Sequence, residues 1–153
     1  MPFRVSYRKT NHNVSEEDIT AVLEPYFGRR ENGGYFIGFY PPVGWYRLIL
    51  NLHKKLVEEN PTYYIIQVKE KFGGLRYYTG EMTEKGWGLV GAAEKKSSRT
   101  CERCGRAGRQ TSRGYIATLC WWDLGAERVT KAIYDSGIRK QRKERERRKK
   151  NDI

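Results

Sequence analysis

At 153 residues the chain has room for one domain, or for a core with a small appendage. Hydrophobic residues make up only 38%, yet 11 Tyr, 4 Trp and 5 Phe supply bulk for a core, and no apolar run approaches the ~20 residues of a membrane span. The net charge of +12, through its clustering, points to a polyanionic partner.

Residues 2–7 (PFRVSY) suit a short strand. Ser15 followed by Glu16, Glu17 and Asp18 reads as an N-cap with acids in the first helical turn, which predicts a helix over 16–26 with Ile19, Val22, Leu23 and Tyr26 on one face. A loop over Arg29–Gly34 leads to a strand at Tyr35–Tyr40, ended by Pro41-Pro42. The strongest helix is 44–59, where Trp45, Leu48, Ile49, Leu52 and Leu56 make an apolar stripe; Asn60-Pro61 stops it. A hairpin follows, with strands at Thr62–Lys71 and Leu75–Thr79 around Gly73-Gly74. Strict alternation puts Tyr64, Ile66 and Val68 on one of its faces and Ile65 and Gln67 on the other. Thr83 caps a helix over 83–98, with Trp87, Val90 and Ala93 pointing inward. A last helix, 121–136, places Trp122, Ala126, Val129 and Ile133 on one face before Gly137 interrupts it. The closing run RKQRKERERRKK has nothing apolar to bury and is either disordered or a solvated helical extension.

Between the last two helices lies the clearest chemical signal. Cys101 and Cys104 form Cys-x2-Cys-Gly; after fifteen intervening residues Cys120 and Asp123 form Cys-x2-Asp. Two ligand pairs at this spacing can close a tetrahedron around one Zn2+. Three cysteines with one close pair, in a chain whose start lacks the apolar stretch of a signal peptide, suit metal better than disulfides and predict a cytoplasmic protein. The intervening GRAGRQTSRGYIATL is Gly-rich and then strand-like, as a hairpin requires. A knuckle, a hairpin and a helix start together describe a treble-clef-like zinc finger. His53 or a water is the alternative fourth ligand to Asp123. The expected fold is α+β: residues 1–99 as helices on a small sheet, 100–137 as a finger packed on that core, and 138–153 as a basic tail.

The charge is segregated. Residues 95–113 carry Lys95, Lys96, Arg99, Arg103, Arg106, Arg109 and Arg113 against Glu102 alone. Residues 139–153 carry Arg139, Lys140, Arg142, Lys143, Arg145, Arg147, Arg148, Lys149 and Lys150 against three acids. Each patch sums to +6, so the other 119 residues are neutral in total. Clustering of this kind is the footprint of nucleic acid. Trp121, beside a candidate ligand, is placed to stack on an unpaired base; Trp122 is read as core. Two histidines and no phosphate-binding loop leave little for catalysis, so the zinc is expected to be structural and the protein not an enzyme.

Several strings resemble a family of small tailed-phage and prophage proteins: Gly44-Trp45-Tyr46, VKEKFGGLRYYTG at 68–80, Ala92-Ala93-Glu94, SSRTCERCGRAGR at 97–109, and Ile116-Ala117-Thr118-Leu119-Cys120. The resemblance covers 44–123; members carry a histidine where this chain has Asp123. It implies a fold and a phage origin, hence the host cytoplasm, but no reaction. The leading expectation is DNA or RNA binding through the finger surface and tail. The alternative is a non-enzymatic binder or inhibitor of a host protein, such as a DNA- or RNA-processing enzyme; a structural role in the virion is a third option.

Overall fold

The computed structural model describes residues 14–111, 116–124 and 139–147. The expected strand at 2–7, Arg113, the apolar positions Ala126, Val129 and Ile133, and Arg148, Lys149 and Lys150 lie outside them. The architecture is mixed α+β, and the chain divides into two compact units, Met1–Cys120 and Trp121–Ile153.

In the first unit, α1 (Glu16–Leu23) starts at a full capping box: the Ser15 hydroxyl accepts from the Asp18 amide, and the Asp18 carboxylate accepts from the Ser15 amide. It buries Ile19 and Leu23 but leaves Val22 exposed, and the chain then tightens into a 3-10 turn at Glu24–Tyr26 around Pro25. The strand expected at 35–40 is confined to β1 (Gly38–Tyr40). After a 3-10 turn at Val43–Trp45, α2 (Tyr46–Glu59) buries Tyr46, Ile49, Leu52, His53 and Leu56. β2 (Ile65–Lys71) and β3 (Gly74–Thr79) form the hairpin, and β1 pairs parallel with β2, giving the order β1-β2-β3.

The expected alternation along β2 fails at its start. A register shift between Ile65 and Gln67 inserts a bulge, so Ile65 and Val68 both enter the core while Ile66 is only half-buried. α3 (Glu84–Ser97) is capped by Thr83, whose hydroxyl accepts from the Gly86 amide. Val90 points inward as expected and Ala93 packs on the core, whereas Trp87 is exposed. α3 also closes one sheet edge: the Leu75 amide donates to Ser97 Oγ at 2.8 Å, and the Tyr77 amide to Glu94 Oε1 at 3.1 Å. These side chains satisfy donors that an edge strand otherwise leaves open. The last two strands, β4 (Arg109–Gln110) and β5 (Thr118–Leu119), pair antiparallel, as the expected hairpin between the cysteine pairs.

In the second unit the described residues, 121–124 and 139–147, are helical. Every residue of 139–147 is exposed, and Arg142 pairs with Glu146 at 3.2 Å one turn on. Among the described residues, no helix is long and apolar enough to cross a membrane.

Candidate metal centre

The sharp turn after Thr100 is built by the sequence Cys-Glu-Arg-Cys-Gly. The Gly105 amide donates to the Cys101 carbonyl at 2.9 Å, and the Cys101 amide donates to the Arg106 carbonyl at 2.7 Å. Gly105 sits at φ 71°, a left-handed conformation that costs glycine little. The turn is held from two sides. The Glu102 amide donates to the Thr118 carbonyl at 2.9 Å, tying it to β5, and the Gly44 amide donates to the Glu102 carbonyl at 2.7 Å, tying it to the start of α2. A Cβ on Gly44 would lie 2.1 Å from the Cys101 carbonyl oxygen, so only glycine lets the two backbones meet. Next to it, the fully buried Trp45 donates its indole N–H to the Thr100 carbonyl at 2.8 Å. The β2–β3 turn joins the same cluster, where Thr118 Oγ1 donates to the Gly73 carbonyl at 2.6 Å.

This scaffold brings the predicted ligands together. One ligand atom from each of Cys101, Cys104, Cys120 and Asp123 falls in a set whose members all lie within 4.8 Å of one another. Cys101, Cys120 and Asp123 are buried, and Cys104 is half-buried. Cys104 Sγ stands 3.5 Å from Cys120 Sγ, and none of the three cysteines is in a disulfide. A disulfide needs about 2.05 Å between sulfurs. Two thiolates on one tetrahedral zinc, at about 2.3 Å each, lie roughly 3.8 Å apart. The separation therefore suits a shared cation and not a disulfide. Burial pushes the Cys104 thiol up; Cys120 and Cys101 add to this, against a lowering backbone hydrogen bond from Arg106. A divalent cation among the sulfurs reverses that balance, because its charge stabilises thiolates.

His53, the alternative ligand, is not in this set. It is buried on α2, where Nδ1 hydrogen-bonds the Tyr63 hydroxyl, which lies 3.0 Å from the Tyr77 hydroxyl, and the edge of its ring meets Tyr26. The sequence carried no sign of this buried chain, because its members come from α2, the segment before β2, and β3. Burial lowers the His53 pKa, so the imidazole folds as the neutral base. The unfolded chain, with His near 6.5, takes up a proton that the folded chain refuses. Stability should therefore fall as pH drops below about 6.5, with a slope of at most about 1.4 kcal/mol per pH unit from this one group. Urea melts at pH 7 and pH 5.5 should give a larger difference for the wild type than for His53→Phe; equal differences would contradict this.

The cationic candidates are placed as follows. Lys95 and Lys96 occupy the exposed last turn of α3. Arg99, Arg106 and Arg109 are exposed around the cysteine turn, and Arg103 is half-buried. Arg139, Lys140, Arg142, Lys143, Arg145 and Arg147 are exposed on the helical stretch of the second unit. Trp121 is 75% exposed, as expected; Trp122, expected in the core, is 60% exposed and meets Trp121 edge-on at 4.7 Å. With the centre and its cationic surroundings defined, comparison with known proteins gives a plain result: no family model, no curated protein and no solved structure matches this chain.

Proposed function

We propose that the cysteine cluster holds one structural Zn2+ in a treble-clef-like finger, and that the protein is a non-enzymatic nucleic-acid binder using the basic residues around the finger and along the tail. The donor set supports the metal reading. Three thiolates and one carboxylate match a closed, four-coordinate site, with no position open for a substrate. The metal would fix the cysteine turn against β5, and no reaction step is assigned to it. The phage-family resemblance fits the same reading, since its strings at Gly44-Trp45, Gly73-Gly74, 97–109 and 116–120 converge on one cluster.

One observation carries the nucleic-acid reading: the whole net charge of the chain lies in two stretches, whose described side chains are almost all exposed. Phosphate contacts by such side chains release counterions. If about five phosphates are neutralised, log K should fall with log salt at a slope near −4.5 on duplex DNA. Deleting 139–153 should abolish non-specific DNA retention in a filter-binding assay; retention unchanged by the deletion would contradict a role for the tail.

The alternative, a binder of a host protein, draws on the Trp121–Trp122 pair. Two exposed indoles side by side are of the kind that anchor protein interfaces. A pull-down from host lysate with and without nuclease separates the two readings. Partners lost on nuclease treatment support nucleic acid, and one host protein that persists supports the alternative.

A further inference from the structure

The three-stranded sheet has two unlike faces. Val68, Leu75 and Tyr77 point into the core. Register places the alternate positions on the opposite face: Tyr40 beside Lys69, Lys69 beside Arg76, and Gln67 beside Tyr78. Lys71 continues the row, and Phe72 is exposed in the turn that follows. None of these side chains is acidic. Among the described residues, Lys69, Lys71 and Arg76 have no ion-pair partner.

Aromatic rings are laid out on this face. Tyr40 is 70% exposed, yet its ring lies across Gly38, where a Cβ would come within 2.2 Å of it. Glycine thus gives the ring a bed on the sheet and leaves its outer side open. On the far strand Tyr78 is 41% exposed, with the Lys69 ammonium 5.8 Å from its ring centre. The Lys71 ammonium stands 5.6 Å from the Phe72 ring. Gly38, under the Tyr40 ring, and Tyr78 both pair with Gln67, so the two rings stand in one row two strand spacings apart, about 10 Å. About two to three nucleotides of a single strand cover that span, at 3.4 Å or more each.

We propose that this sheet face is a binding platform for single-stranded nucleic acid, with bases stacked on Tyr40 and Tyr78 and phosphates held by Lys69, Lys71 and Arg76. Unpaired bases are the partner that matches flat, open rings among cations; a duplex hides its base faces and offers only phosphates. The platform deepens the nucleic-acid reading and rests on it, but it lies apart in sequence from the cysteine turn and from the tail, and it names the substrate class as unpaired strands.

Fluorescence anisotropy of the full-length protein tests it, using labelled 12-mers of dT and rU, a 12-base-pair duplex, and a poly-Glu peptide as an acidic protein-like probe. Tyr40→Ala and Tyr78→Ala should each weaken single-strand binding by about 5-fold or more. Tyr40→Phe and Tyr78→Phe, which keep the ring, should bind nearly as the wild type does. Duplex affinity should be unmoved by all four. Replacing Lys69, Lys71 and Arg76 with Gln should flatten the single-strand salt slope by about 2. A full-length variant with Arg139, Lys140, Arg142, Lys143, Arg145 and Arg147 changed to Gln reports on the tail separately. If the wild type binds no nucleic acid, both readings fall. If it binds, and the tail variant loses binding while the Tyr→Ala variants do not, only the platform falls. Poly-Glu binding that depends on the same tyrosines also overturns it. Equal affinity for dT and rU places recognition on base and phosphate, and a preference for one assigns the physiological strand; the platform stands in either case only if the tyrosine dependence holds.

Discussion

If the cysteine cluster holds zinc as proposed, a chelator should lower the melting midpoint by roughly 10 °C or more and expose all three thiols to modification. Structural zinc in finger peptides is worth about 10–16 kcal/mol, as large as the whole net stability of an ordinary domain at about 5–15 kcal/mol. Part of that gain is spent on ordering the loop, and a chain of this size shifts by about 2–4 °C per kcal/mol, so even a net 4 kcal/mol is readily seen. Without a cation the cluster leaves thiols gathered at buried Cys101 and Cys120 and half-buried Cys104, and burial pushes the Cys104 thiol up. Cys104→Ser should reproduce the loss without chelator, since it removes one thiolate and leaves the backbone turn intact. Calorimetry with and without added zinc checks both. A midpoint indifferent to chelator would mean that the turn is held by its hydrogen bonds to Gly44 and Thr118 alone.

Trp45→Ala should cost about 3–5 kcal/mol in chemical denaturation, the range for deleting a large buried aromatic side chain. Trp45 is fully buried at the head of α2 and belongs to the hydrophobic core with Ile49, Leu52 and Leu56. It also reaches the Thr100 carbonyl, one residue before the first cysteine. Trp45→Phe keeps most of the bulk but removes the indole donor from that part-buried carbonyl, at a cost of about 0.5–1.5 kcal/mol. If Trp45 couples core to metal centre, Trp45→Phe should also speed reaction of the three thiols with an aromatic disulfide reagent. Thiol rates unchanged in Trp45→Phe would reduce Trp45 to a core residue.

Local chemistry made much of this legible in advance. The caps at Ser15 and Thr83 and the apolar stripe of α2 are each written within a few residues and stand where sequence spacing placed them, whereas the hairpin turn falls one residue earlier than Gly73-Gly74, on Phe72 (φ 53°) and Gly73 (φ 74°), with Gly74 already in β3. The four clustered ligands were also legible, because Cys-x2-Cys-Gly and Cys-x2-Asp each draw two donors together locally. What escaped is non-local. No pattern in 38–40 announces parallel pairing with 67–69, and the bulge at Ile65 depends on how β2 meets its partners. Glu94 and Ser97 read as a helix end, but they serve as acceptors for the β3 edge. Trp87 and Trp122 satisfy a helical period yet are exposed, since a period fixes a face and not what covers it. The neutral sum over 119 residues hid the basic sheet face, because Lys69, Lys71 and Arg76 gather on one side only once the strands are in register.

Elemental analysis of protein purified without chelator, combined with X-ray absorption at the metal edge, tests the metal centre most directly. One zinc per chain with three sulfur ligands and one oxygen ligand is the expected result. Protein that is folded, monodisperse and free of any stoichiometric transition metal would contradict the account.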